Sequence, residues 1–214
     1  MNRFALHSVP RSGSSWVGAV LSHHPEVNYF FQPLFSTSFP NELKTNSSFE
    51  DIKCFYSQLS TSNDSFINQI SFGKENKTKN HNASNVLYKE VRYHHLIQNL
   101  LTQDPEIKII GLVRNPLSTI NSWLNAPKEF RKDLNWNELE EWRYAPKKNA
   151  NRIEEFNGYE KWKETTLLFE KLQTLYPNRF KLIRYSELIN DSIKSFDDIF
   201  RFMNLKMNVK VLSF

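Results

Sequence analysis

The start of the chain restricts the fold more than any other feature, because a short apolar run leads through a polar loop into a helical pattern. The run covers residues 4–9 (FALHSV) and ends at Pro10, and the polar stretch RSGSS follows at 11–15. Apolar side chains then share one helical face at Trp16, Val17, Val20 and Leu21. A strand, a loop and a helix in this order predict an α/β architecture.

The alternation of strands and helices continues along the chain. Further strands are predicted at 27–31, 86–91, 107–113 and 180–184. Helices are predicted at 48–59, 63–71, 93–102, 116–124, 135–143, 157–175, 186–190 and 192–203. The nearly continuous apolar run IKIIGLV at 107–113 is typical of a strand buried on both faces of a parallel sheet. We therefore predict an α/β fold in which helices flank a central parallel sheet.

The 214 residues fit a single domain spanning 1–214. Residues 36–84 differ from the rest, being rich in Asn, Ser, Thr and Lys, with a solvated loop predicted at 73–84. This segment is interpreted either as a surface insertion or as a lid on the acceptor side of a site, and the sequence leaves both open.

Composition narrows the range of partners. The formal net charge of +5 favours anionic partners, but the basic residues form no long run, which argues against nucleic acid. No apolar stretch is long enough to span a membrane, and Phe4 leaves no room for a signal peptide before it, so a cytoplasmic protein is expected. The lone Cys54 cannot form an intrachain disulfide, and the adjacent pairs at 23–24 and 94–95 are histidines that do not favour a metal site.

The loop at 10–15 has the chemistry of an anion-binding cradle. Backbone N–H groups and the following helix N-terminus attract negative charge, Gly13 allows close approach, and Arg11 adds a permanently charged donor. Each charge-assisted hydrogen bond contributes roughly 1.5–3 kcal/mol. The loop lacks the Walker pattern G-x-x-x-x-G-K-[ST], which argues against an ATP-dependent kinase. An ordinary strand–helix turn with a serine cap is the alternative.

A second polar group follows the strand at 107–113. Arg114 comes directly after that strand, at the end where open α/β sheets bind ligands. Ser122 lies eight residues further on, just over two helical turns away, so its hydroxyl can face the same side. An ion pair for Arg114 and a packing role for Ser122 are the alternatives to a second phosphate site.

These segments resemble a known family. PRSGSSW at 10–16 is similar to the 5′-phosphosulfate loop of the sulfotransferases, in the arginine form typical of carbohydrate sulfotransferases. VRNPLSTINS at 113–122 resembles their 3′-phosphate motif, and RYSEL at 184–188 resembles a segment that follows a later strand. The resemblance implies a P-loop-like three-layer fold. It also implies sulfuryl transfer from 3′-phosphoadenosine 5′-phosphosulfate (PAPS), which becomes PAP, to a hydroxyl or amine of a small-molecule or glycan acceptor, with no metal required.

The resemblance also implies roles for individual residues. The 5′-phosphosulfate would be held by Arg11, Ser12, Gly13, Ser14 and Ser15. The 3′-phosphate would be held by Arg114 and Ser122. Trp16 would stack on adenine or lie in the core, and Tyr185 would border the adenine pocket or brace the sheet.

Catalysis requires a second cation and a base. Lys89, near the end of the strand at 86–91, is the candidate cation, and the neighbouring Glu90 is the candidate base, with an ion pair to Arg92 as the alternative for Glu90. Many carbohydrate sulfotransferases carry a glutamate where this chain has Gln32, which cannot act as a base.

The family's basic, glycine-rich loop near the C-terminus has no counterpart before Phe214. A shortened chain, a lost loop or substitution by Lys147 and Lys148 are the interpretations that remain open. Three functions follow: a sulfotransferase, a PAPS- or PAP-binding protein without catalysis, and a small-molecule kinase.

Overall fold

The computed structural model describes residues 1–69, 83–208 and 211, and within them one parallel sheet organises the chain. Its five strands lie in the order β2-β3-β1-β4-β5, and every neighbouring pair is parallel. The strands are β1 (Asn2–His7), β2 (Val27–Phe31), β3 (Asn85–Glu90), β4 (Lys108–Val113) and β5 (Phe180–Arg184). The predicted central parallel sheet is confirmed, with β1 and β3 each beginning and ending slightly earlier than expected.

Helices cover both faces of the sheet and make the fold three-layered. The α-helices of the described residues are α1 (Ser14–Ser22), α2 (Phe49–Thr61), α3 (Ile97–Gln103), α4 (Pro116–Leu124), α5 (Glu138–Tyr144), α6 (Pro146–Asn149), α7 (Tyr159–Leu175), α8 (Tyr185–Asn190) and α9 (Ser192–Phe202). One core joins the sheet to α2, α3 and α7, and the other joins it to α1 and α9. Across the residues that the structure describes, no helix has the length and apolar character needed to cross a membrane.

The strand order creates a natural cleft at the carboxyl ends of β1 and β4. From β1 the chain moves to one side to form β2 and β3, and then crosses to the other side to form β4. In the register, Leu6 of β1 lies beside Lys89 of β3, and His7 lies beside Gly111 of β4. Such a change of direction leaves a crevice where α/β proteins bind ligands.

The segment at 36–84 contributes to the core, and the helix predicted at 48–59 is found there. Helix α2 lies inside the 36–84 segment, and its Ile52, Phe55, Tyr56 and Leu59 are completely buried. The side chain of Ser48 caps this helix by accepting a hydrogen bond from the backbone of Asp51. Residues 49–61 therefore pack on the sheet as part of a helical layer. No helix forms over 63–69, and the rest of the predicted 63–71 helix and most of the 73–84 loop lie outside the described residues.

Candidate active site

The loop after β1 takes an unusual backbone path. Both Arg11 and Gly13 have positive φ angles, of 69° and 93°. Glycine has no Cβ, and one built on Gly13 would lie 2.5 Å from Cε2 of Tyr185. Gly13 is therefore required both by its left-handed backbone and by the close approach of the loop to the Tyr185 ring.

The loop ends at the N-terminus of α1, where the structure leaves hydrogen-bonding capacity. The helix begins at Ser14, and the residue before it, Gly13, has no side chain to cap the first N–H groups. Ser12 is completely buried, and its Oγ has no hydrogen-bond partner within the described part of the chain. Uncapped N–H groups and a buried, unpaired hydroxyl together form a cradle suited to an anion.

Arg114 reaches this loop from the end of β4. Its Nη1 donates a hydrogen bond to the carbonyl oxygen of Arg11 over 3.1 Å, and its guanidinium lies 4.8 Å from the centre of the Tyr185 ring. The Arg114 carbonyl in turn accepts a hydrogen bond from Nε1 of Trp162 over 2.9 Å. These contacts fix the guanidinium beside the loop with donors available for an anion.

Ser122 completes the same group. Helix α4 starts at Pro116, capped by the side chain of Asn115, and carries Ser122 back toward the sheet. Nε of Arg11 donates a hydrogen bond to Oγ of Ser122 over 3.1 Å. The structure thus brings together Arg11, Arg114 and Ser122, whose first and last members are 111 residues apart.

Trp16 and Tyr185 form an aromatic wall at one end of the loop. Their rings meet edge to face with centroids 6.0 Å apart, and Trp16 also packs against Phe196 at 5.5 Å. Both side chains are half-buried, so each combines a packing contact with an accessible surface. Trp16 thus packs against the core beside α1 and α9 and keeps part of its ring accessible.

Lys89 and Glu90 are both buried. Nζ of Lys89 lies 4.4 Å from the centre of the Phe31 ring, and burial lowers the pKa of Lys89 while the neighbouring Glu90 raises it in part. Burial raises the pKa of Glu90, whose Oε1 accepts a hydrogen bond from the backbone N–H of Leu34 over 2.9 Å. Glu90 is 0% exposed, so an acceptor arriving from solvent cannot reach its carboxyl group without rearrangement. This burial argues against the predicted role of Glu90 as the base.

The alternative predicted for Glu90, an ion pair with Arg92, is not found in the structure either. Arg92 pairs with Glu155 at 3.1 Å and donates a hydrogen bond to Oε1 of Gln32 over 3.2 Å. Gln32 has the left-handed φ angle of 43° and follows β2 directly. Arg92 therefore connects the ends of β2 and β3 to the later segment that carries Glu155.

A carboxylate that the sequence reasoning missed lies beside Arg11. Nη1 of Arg11 is 3.4 Å from Oε1 of Glu129, which is 35% exposed. Glu129 also lies close enough to Lys89 and Lys148 for its charge to raise the pKa of both lysines. It falls in the segment APKEFRK, where no motif or periodicity distinguishes it from a surface residue.

The two lysines considered as a substitute for a C-terminal loop have different environments. Lys147 pairs with Glu140 at 3.2 Å and is exposed. Lys148 is half-buried, and burial is the main cause that lowers its pKa, with nearby Arg92 and Glu155 acting in opposite directions. Among residues 1–69 and 83–208, no three His, Cys, Asp or Glu side chains gather into a group able to hold a metal ion.

This architecture has counterparts among solved structures. A mouse sulfotransferase, SULT7A1, complexed with PAP has a TM-score of 0.59 and 17% identity, with 99% of this chain and 61% of the mouse chain covered. A sulfotransferase from Alicyclobacillus acidocaldarius has a TM-score of 0.56 and 16% identity over 96% of this chain and 82% of its own. A sulfotransferase domain from the curacin biosynthetic pathway has a TM-score of 0.59 and 17% identity, covering 99% and 76%. These similarities establish the fold class, a P-loop-like α/β fold.

The family follows from the sequence itself. Residues 2–213 match the family model of the sulfotransferase domain, and the chain therefore belongs to the sulfotransferase family. No curated protein sequence matches it significantly. The chain spans about three fifths of the length of the mouse sulfotransferase.

Proposed function

We propose that this chain transfers the sulfuryl group of PAPS to a hydroxyl or amine of an acceptor. One observation carries the proposal: two arginines and a serine from distant segments, Arg11, Arg114 and Ser122, converge on a glycine loop at a helix N-terminus. Membership of the sulfotransferase family and the PAP bound in the mouse relative support the same activity.

The residues present fit PAPS. The loop with Arg11 and the N-terminus of α1 would hold the 5′-phosphosulfate, for which the unpaired Oγ of Ser12 provides an additional donor. Arg114 and Ser122 would hold the 3′-phosphate, and the wall of Trp16 and Tyr185 would border the adenine. The roles proposed for Ser14 and Ser15 are backbone N–H donation at the first turn of the helix.

The chain's own contribution to the reaction would be positioning and charge neutralisation. Bound PAPS supplies an activated sulfuryl group, and by analogy with phosphoryl transfer the transition state is loose. Arg11 would offset charge on the non-bridging oxygens of the phosphosulfate, and Lys89 would offset charge on the leaving oxygen, which bridges sulfur and the 5′-phosphate. Because Lys89 is only 2% exposed, its charge would act in a weakly screened environment.

Carbohydrate is the acceptor class that we favour. The arginine form of the loop, PRSGSSW, is the form typical of carbohydrate sulfotransferases. Two aromatic side chains suited to stacking on sugar rings are accessible, Phe35 at 47% exposure and Trp142 at 42%. Phe35 packs against Arg92, whose guanidinium lies 4.0 Å from the ring centre, at the ends of β2 and β3.

A second function, binding of PAPS or PAP without catalysis, has specific support. Gln32 occupies the position where many carbohydrate sulfotransferases have a glutamate, and the neighbouring Glu90 is buried. A small-molecule kinase is less well supported, because the loop has an arginine before the glycine and no Walker lysine after it.

Two measurements separate these functions. Isothermal titration calorimetry with PAP, PAPS and ATP should give much tighter binding of the first two, because ATP lacks the 3′-phosphate proposed to contact Arg114 and Ser122. Equal affinity for PAP and ATP would contradict the two-phosphate site. Transfer of ³⁵S from labelled PAPS to a panel of oligosaccharides, phenols and amines then tests catalysis. PAP binding with no transfer to any acceptor, water included, would favour the binding protein.

A further inference from the structure

Glu129 is an accessible carboxylate beside Arg11. It lies 3.4 Å from Arg11, the central cation of the proposed phosphosulfate site, and is about one third exposed. Glu90, by contrast, is completely buried, with one oxygen accepting a hydrogen bond from Leu34. An acceptor that approaches from solvent would therefore meet Glu129 and not Glu90.

Glu129 is held on a rigid turn. The backbone N–H groups of Glu129 and Phe130 both donate to the carbonyl oxygen of Ala126 over 2.8 Å. The Phe130 ring is buried and meets Trp123 and Trp136 edge to face, with centroids 5.4 and 5.7 Å away. A carboxylate mounted next to such an anchor keeps its position without help from its ion pair, as a catalytic group requires.

The surroundings of Glu129 connect it to the other proposed catalytic groups. Its charge raises the pKa of both Lys89 and Lys148, which places the carboxylate near the cation proposed for the leaving oxygen. Its ion pair with Arg11 is partly exposed, and exposed pairs are weak. A phosphosulfate that binds Arg11 would therefore displace Glu129 easily and leave its carboxylate free to accept a hydrogen bond from an acceptor.

We propose that Glu129 is the general base of the reaction, released from Arg11 when PAPS binds. The inference rests on the proposed function. The acceptor oxygen forms a bond to sulfur, the bond between sulfur and the 5′-phosphate oxygen breaks, and PAP leaves with that electron pair. The acceptor's hydroxyl proton passes to the Glu129 carboxylate and from there to solvent.

The titratable groups His7, His94 and Glu155 are poorly placed for this role. His7 and His94 are completely buried, and their Nδ1 atoms face each other at 3.1 Å. Glu155 is buried and already pairs with Arg92 and Arg152. A purely structural role for Glu129, as a brace for Arg11, is the alternative that an experiment must separate.

The test compares Glu129→Gln with Glu140→Gln, a matched variant whose carboxylate pairs with Lys147 at 3.2 Å and does not contact Arg11. Turnover of ³⁵S-labelled PAPS is measured with water and with the acceptor panel of oligosaccharides, phenols and amines, and PAP affinity is measured by calorimetry. For Glu129→Gln we expect turnover to fall about 10²- to 10⁴-fold. PAP should bind as well as to the wild type or up to about fivefold more tightly, because Arg11 loses a competing partner. Glu140→Gln should match the wild type.

Each other outcome has a defined meaning. Turnover within about threefold of the wild type would overturn the assignment of Glu129. Parallel losses in PAP affinity and turnover would show a brace and also overturn it. Failure of the wild-type protein to consume PAPS with every acceptor of the panel, water included, while PAP still binds, would instead overturn the proposed transferase function, and the base with it. Glu129→Asp should recover part of the activity lost in Glu129→Gln.

Discussion

Replacement of Gly13 by alanine most directly tests the geometry of the loop at 10–15, which is proposed to bind the phosphosulfate of PAPS. The φ angle of 93° disfavours any residue with a Cβ by roughly 1–3 kcal/mol. The new Cβ would also lie 2.5 Å from Cε2 of Tyr185, a ring held in place by Arg114 and Trp16. The loop must then either stay in place under strain, which lowers the free energy of unfolding, or relax, which removes the anion cradle.

The two losses should therefore be measured together. Urea unfolding gives the change in the free energy of unfolding, and calorimetry gives the change in the free energy of PAP binding. The two losses together should reach at least about 1–3 kcal/mol. If the whole loss falls on binding, the dissociation constant for PAP rises roughly 5- to 150-fold. Ser57→Ala, at an exposed position of α2 outside the proposed site, is the control and should change each by less than about 0.5 kcal/mol. The effect of Gly13→Ala should also be measured in a Tyr185→Ala background, where the clash with the ring is absent. The loss should be smaller there, and what remains is the cost of the left-handed backbone. Normal stability and normal PAP binding in Gly13→Ala would refute the loop geometry.

Three further predictions follow from the site and the core. Arg114→Ala should weaken PAP binding about 10- to 150-fold in calorimetry, whereas Lys89→Ala should mainly lower the single-turnover rate and Arg11→Ala should lower both; normal PAP binding in Arg114→Ala would contradict its role. Glu90→Gln should keep turnover near the wild-type level, since an amide oxygen can still accept the Leu34 N–H, and collapse of turnover would return the base to Glu90. Burial lowers the pKa of His7 to about 3 and that of His94 well below its usual range, so unfolding takes up protons as the pH falls below about 6.5. Stability should drop by about 1 kcal/mol per histidine between pH 6.5 and 5.5 in urea titrations, and His7→Phe should reduce that slope; an unchanged slope would show that His7 is not the cause.

Local pattern was sufficient to predict the sheet and the meeting of the loop at 10–15 with Arg114. A continuous apolar run such as 107–113 indicates a strand that is buried on both faces. When helices alternate with such strands along the chain, the helices cover both faces of a parallel sheet. The loop at 10–15 and the pair of Arg114 and Ser122 follow strand ends, and parallel strands place such ends at one edge of the sheet. Prediction of their convergence needed only the sheet order that α/β chains commonly adopt.

The partners of individual charges were decided by the tertiary structure alone. Arg92 is only two residues after Glu90 in the sequence. Its side chain nevertheless pairs with Glu155, 63 residues away, because the chain brings that segment over the ends of β2 and β3. Glu129 is 118 residues from Arg11, and neither residue carries a local signal for the other. The helix predicted at 48–59 was found as α2, but its place in the core was decided by the tertiary structure, because its four buried side chains need the sheet to pack against. Periodicity is a property of neighbours in sequence, whereas a side chain's partner depends on which distant segment the packed fold brings within reach. The strand, loop and helix at the start of the chain could therefore be predicted, and the contact between Arg11 and Glu129 could not.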